Sequence, residues 1–159
     1  PLLHAHPRRL EYIKFGRHGT LDQMYKACDV DLDEYFKFAF IRHPYTRFQS
    51  AFTYFTQVTQ TAKRAGFTNY TQMMDWIEDT NAIKLHVVPQ SNWHDDRIDQ
   101  FFRFEEVEQL SLEKYIPGLN YNKKSGKIYK SDHPSMDNDL KARIYNFYKH
   151  DFELFNYQP

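Results

Sequence analysis

The apolar positions of this chain change their spacing abruptly, and each change predicts an element. "EYFKFAFIR", Glu34 to Arg42, is a short, nearly continuous apolar run rich in phenylalanine, the pattern of an interior strand. From Tyr45 onward, apolar residues recur at Phe48, Phe52 and Phe55. Those spacings of three, four and three trace one face of a helix running to about Lys63. Between the two, His43 precedes a proline and is biased to extended backbone, while Pro44 suits the first helical position.

The rest of the chain alternates in the same way. Thr20 is placed to cap a short helix over "LDQMYKAC". "TNYTQMMDWIED" predicts a further helix, and "NAIKLHVVPQSNW" an irregular connection. "RIDQFFRFEE" reads as a second interior strand leading into a helix through about Tyr115. "IPGLNYNKKSGKIYKSDHP" is a loop; Leu140, Ile144, Phe147 and Tyr148 then mark a helix, and "DFELF" a last short turn. Strands alternating with helices predict an α/β sandwich with a parallel sheet. No repeat or linker divides the chain, so residues 1–159 are expected to form a single domain.

Composition agrees with a packed domain and narrows its chemistry. The chain has 159 residues, 41% hydrophobic and 18% aromatic, enough for one real core. Its 21 basic and 21 acidic residues cancel. A binder of long nucleic acid would carry a basic excess, so any anion site here must be local. The single cysteine, Cys28, forbids an intrachain disulfide and a multi-thiolate zinc site, and favours a reducing compartment. No apolar run has transmembrane length, and nothing at the start reads as a signal peptide. The opening "PLLHAH" lacks an initiator methionine, and the expectation is an N-terminally truncated or processed chain.

Local charge concentrates where the first strand meets its helix. In parallel α/β domains ligands bind outside the carboxyl ends of strands, where the next helix offers free N–H groups and the positive end of its dipole. Arg42 at the strand end can add a bidentate fork. Arg47 and Ser50 follow in the helix on one side, Ser50 eight residues after Arg42. Two arginines, a hydroxyl and a helix start form a phosphate-binding set. The competing reading pairs both arginines with carboxylates and leaves Ser50 facing water. The lysines Lys123, Lys124, Lys127 and Lys130 in the late loop either close over an anion or are simply solvated. His4-x-His6, with His86, His94, Asp95 and Asp96 far off in sequence, is a weak metal pattern, because zinc needs further ligands in fixed geometry.

"FIRHPYTRFQSAFTYF" resembles the 3′-phosphate-binding motif of sulfotransferases that use 3′-phosphoadenosine 5′-phosphosulfate (PAPS). Arg-x-Pro followed by Arg and Ser, with the Arg-to-Ser interval of eight, is similar to the carbohydrate sulfotransferases. "HVVPQSNW" and "IDQFFRFEEVEQL" resemble their middle segment, and "LNYNKKSGKIY" with "LKARIYNFYKHDFELFNY" their C-terminal loop and helix. "HAHPRRLEYIKFG" is similar to the histidine-bearing segment of hexuronic-acid 2-O-sulfotransferases. The matching stretches cover nearly the whole chain in the family's order. The departure is at the start: no strand and P-loop-like turn for the 5′-phosphosulfate is visible in residues 1–35.

The resemblance implies a P-loop-NTPase-like sulfotransferase fold, a parallel sheet flanked by helices, with the N-terminal strand and P-loop missing. It implies sulfuryl transfer from PAPS, leaving PAP, to a hydroxyl of a sugar or glycan acceptor, anionic in some cases, without a catalytic metal. Arg42 and Ser50 would hold the 3′-phosphate with Arg47 in support, and Lys123, Lys124 and Lys127 would approach the nucleotide. His6, with His4 as the other candidate, would be the general base, since imidazole titrates near neutrality. Arg8, Arg9 and Lys14 would meet acceptor anions, and His86 with Gln90 and Trp93 would shape the acceptor or adenine pocket. The expected setting is the cytoplasm of a bacterial-type cell, or the Golgi lumen behind an anchor outside this chain. Two rivals remain: a non-catalytic nucleotide- or glycan-binding module of the same fold, and a kinase-like phosphotransferase, which predicts a Walker loop and Mg²⁺ carboxylates that this sequence does not show.

Overall fold

A computed structural model of the chain describes residues 19–27, 31–80, 86–107, 114–115 and 134–159. Helix α1, Leu21–Ala27, opens with a reciprocal cap in which Thr20 N–H donates to Gln23 Oε1 and Gln23 N–H to Thr20 Oγ1. A short 3₁₀ turn, Leu32–Glu34, leads into strand β1, Phe38–Ile41. Strand β2 is Gln100–Arg103, paired in parallel with β1, with Phe38 opposite Gln100 and Ile41 opposite Arg103. Mixed α/β architecture with a parallel pairing is therefore present, carried among the described residues by a two-stranded sheet.

The strand expected across Glu34 to Arg42 is shorter than its apolar run and is not interior on both faces. Phe36 and Phe40 are 43% and 42% exposed, whereas Ile41 is buried. Alternate side chains point to opposite faces. Ile41 joins the helical core, while Phe38, Phe40 and Phe102 form a ring cluster on the other face, with centroids 5.7–5.9 Å apart.

Helix α2, Pro44–Thr53, begins with proline in its first turn as predicted, and His43, read from the sequence only as extended, caps it. It does not run on to Lys63. Tyr54–Val58 forms one π-helical turn closed by Thr59 N–H on the Tyr54 carbonyl, and a separate helix α3 covers Thr61–Ala65. Three threonines accompany this break. The Thr53, Thr56 and Thr59 hydroxyls donate to the Gln49, Phe52 and Phe55 carbonyls, and such back-bonding competes with the main-chain ladder. Gly66, at φ 82°, ends α3 in a left-handed conformation suited to glycine.

Helix α4, Tyr70–Thr80, is capped by Asn69, whose side chain accepts from Gln72 N–H. A 3₁₀ turn follows at Gln90–Trp93, and another, Phe104–Glu106, directly after β2. Helix α5, Asn138–Phe147, starts where the Asp137 carboxylate accepts from Leu140 N–H at 2.8 Å, and α6 spans Lys149–Leu154. The core sits among α2, α4, α5 and α6: Phe48, Phe55, Met73, Met74, Ile77, Val87, Ile144, Tyr148 and Phe152 are all buried in one cluster. The aromatic stripe of the second predicted element is thus packing surface, with Tyr45 and Phe52 half-buried at its margin.

Candidate functional site

The site is built around the end of β1 and the flank of α2. Arg42 follows the last strand residue; its Nε–H donates to Thr46 Oγ1 at 3.2 Å, and its guanidinium lies over the Phe104 ring at 5.0 Å. One turn into α2, Arg47 donates from Nη2 to the Val88 carbonyl at 2.6 Å. Its Nη1 is buried with no hydrogen-bond partner among the described residues. Ser50, Ala51 and Tyr54 continue along the same flank, spaced as one face of a helix. Arg42, Arg47, Ser50, Ala51, Tyr54 and His86 together line a cavity of about 320 Å³. The imidazole of His86 lies 4.3 Å from the Tyr54 ring, centroid to centroid.

The positive character of this cavity comes from side chains rather than from the helix end. His43 Nδ1 accepts the Tyr45 N–H, which leaves Nε2–H to donate to the Gln158 carbonyl at 3.0 Å. Pro44 has no N–H to offer. The free helix N–H groups expected to face an anion are therefore partly capped from within the chain. The cavity runs along residues 47, 50, 51 and 54 instead.

One carboxylate, Glu105, stands beside Arg42 without lining the cavity. Glu105 Oε1 accepts the His43 N–H at 2.7 Å, and its Oε2 accepts from the Tyr157 hydroxyl at 3.1 Å. Burial pushes the Glu105 carboxyl up, but the hydrogen bonds from His43, from its own N–H and from Tyr157, with the Arg42 charge, outweigh it and hold it below its usual value. Burial lowers the Arg42 guanidinium, and the Glu105 carboxylate opposes that shift; an arginine still keeps its charge at every physiological pH. Tyr148 donates its hydroxyl to the Val87 carbonyl at 2.6 Å, and burial raises its phenol.

Arg42, Arg47, Ser50 and His86 are thus brought to one cavity. Gln90 is close by but does not line it; it bonds the backbone of Arg42. Trp93 is not among the lining residues. His4, His6, Arg8, Arg9, Lys14, Lys123, Lys124 and Lys127 lie outside the described residues. Among the described residues no three His, Cys, Asp or Glu side chains gather as metal ligands, and Asp95 is instead joined to Arg97. Sequence reasoning missed Tyr54 and the buried Asp151. Tyr54 falls on the helical face of Arg47 and Ser50, a spacing that could have found it, and nothing in "KHDFELF" separates a buried aspartate from a solvated one.

The chain matches the family model described as Sulfotransferase family over residues 4–158. It belongs to the sulfotransferase family. The match takes in both the described site and the stretches at either end. No curated protein and no solved structure matches this sulfotransferase. No helix among its described residues is long and apolar enough to cross a membrane.

Proposed function

We propose that this sulfotransferase takes PAPS as donor and that the cavity beside α2 receives its 3′-phosphate. The observation that carries this reading is the convergence of two guanidiniums and a serine hydroxyl on one cavity, with the buried Arg47 Nη1 lacking any partner among the described residues. A buried donor left without an acceptor costs about 1–3 kcal/mol, and a phosphate oxygen is the acceptor that suits a guanidinium best. Arg42 and Ser50 would hold the phosphate, and Arg47 would serve both it and the Val88 carbonyl. PAPS supplies the sulfuryl group when bound, with PAP as its product.

The acceptor in this reading is a sugar hydroxyl. A hydroxyl needs a positioned base to lose its proton. His6 is proposed for that role, with His4 next to it in the same motif, and Arg8, Arg9 and Lys14 for contacts to acceptor anions. Lys123, Lys124 and Lys127 are proposed to approach the nucleotide, and His86 to border the bound adenosine or acceptor.

Thermal shift with PAP and with adenosine 5′-phosphate, which lacks the 3′-phosphate, tests the donor site. Ligand at about one hundred times its Kd should add roughly 2.7 kcal/mol of stability to wild type. Arg42→Ala should lose most of the PAP effect. Equal stabilisation of both proteins by PAP removes Arg42 from the site. In the same preparation, His6→Ala should lose sulfate transfer to glycan while still binding PAP; retained transfer would move the base elsewhere.

A further inference from the structure

Arg42 stands just past the last paired position of the sheet, Ile41 opposite Arg103. Its main chain is held by a side chain instead. Gln90 Oε1 accepts the Arg42 N–H at 2.8 Å, and Gln90 Nε2–H donates to the Arg42 carbonyl at 2.8 Å. One carboxamide thus reproduces the two-bond exchange of a strand neighbour. Gln90 is itself fixed from below. Asp151, in α6 and 0% exposed, accepts from Gln90 N–H with Oδ2 and from Ser91 N–H with Oδ1, both at 2.8 Å. The preceding residues are held in the same way, Val87 by the Tyr148 hydroxyl and Val88 by Arg47.

A carboxylate is withdrawn from water only where its oxygens are well satisfied, and Asp151 meets that condition on a turn far away in sequence. The path runs from α6 through Asp151 to the Gln90 backbone, then through the Gln90 carboxamide to the backbone that carries Arg42. An arginine reaches its ligand on a long flexible stem, so the placement of its Cα and the direction of its backbone decide where the fork can lie. Fixing them beforehand lowers the ordering cost of binding.

We infer that Gln90 and Asp151 are positioning residues for the anion site, locking the Arg42 backbone so that its guanidinium is presented to the cavity; this rests on the reading of that cavity as a phosphate site. Gln90 touches no bound group and acts through Arg42 alone.

The test uses the whole chain, labelled with ¹⁵N, as wild type and as Gln90→Met, a change that keeps side-chain volume and removes both bonds. Amide hydrogen exchange reads the clamp directly, and calorimetric Kd values for PAP and adenosine 5′-phosphate read its consequence. Loss of two ordinary hydrogen bonds predicts exchange about tenfold faster at the Arg42 amide, with the Phe40 amide unchanged. The PAP Kd should rise about tenfold while that of adenosine 5′-phosphate stays put. Should Gln90→Met fail to fold, Gln90→Asn, one methylene too short to span both groups, is read in the same way. Asp151→Asn, which keeps one acceptor, should fall between wild type and Gln90→Met. A wild-type protein that binds both nucleotides equally overturns the phosphate reading. A wild type that prefers PAP, with the preference unchanged in Gln90→Met, overturns the positioning role, as does equal weakening of both nucleotides.

Discussion

At the scale of single residues, the site separates groups that hold the protein from groups free to hold a ligand. Arg47 does both, with Nη2 on Val88 and Nη1 buried without a partner among the described residues. Ser50 offers a cleaner test because it sits inside a helix. Alanine is the better helix former there by a few tenths of a kcal/mol, so Ser50→Ala should leave the melting temperature of the free protein unchanged or slightly raised. A hydrogen bond to a charged group is worth about 1.5–3 kcal/mol, so the PAP Kd should rise about tenfold or more, measured by calorimetry. An unchanged Kd would take Ser50 out of the phosphate site. The pairing of Arg42 with Ser50 was legible in the sequence because both lie in one short motif. Tyr54, three residues beyond Ala51 on the same helical face, reads only as part of the helix, because nothing in its apolar ring marks it as lining a cavity rather than packing.

At the scale of elements, one cap, one proline and apolar periodicity predicted where helices lie, and helix lengths followed less well. Thr20, His43 and Asp137 begin α1, α2 and α5 through side-chain acceptors for main-chain N–H groups. These bonds are local, yet of the three only the Thr20 cap is read from the sequence. Asp137→Ala should cost about 1 kcal/mol, the usual loss of an N-cap, seen as a lower urea midpoint with unchanged slope. No change in midpoint would mean that packing of Leu140 and Ile144, both buried, holds the first turn without its cap. The first strand was foreseen, but its burial was not. An apolar run indicates that side chains avoid water, and it does not say how many neighbours the sheet provides. Here Phe38, Phe40 and Phe102 shield one another instead.

At the scale of the whole molecule, long-range polar bonds tie the elements to one another. Arg97 joins Asp22 of α1 to Asp95, and Arg143 of α5 bridges Asp75 and Glu78 of α4. Asp95 is held down at about 2, first by its side-chain bond from Arg97 and then by the Arg97 N–H. A carboxyl depressed in the folded state contributes stability above its unfolded value of about 3.9, and loses it as pH falls through the folded value. Glu105 is shifted in the same direction. Stability should therefore decline from about pH 4 toward about pH 2, and the gap between wild type and Asp95→Asn should close over that interval. Thermal melts across the range check this; a gap independent of pH would assign the Arg97 contact no role in acid stability. The sequence by itself determined the α/β class, the strand–Arg–Pro–helix junction and the family, since each is written in neighbouring residues and in the order of segments. Only the tertiary structure decided that the cavity lies along the flank of α2 rather than over its N-terminus, and that Arg42 is held by Gln90 and, through it, by Asp151. Those contacts join residues 48 and 61 positions apart. Bonds across such distances follow from how the helices pack, and no local pattern of apolar and polar positions encodes them.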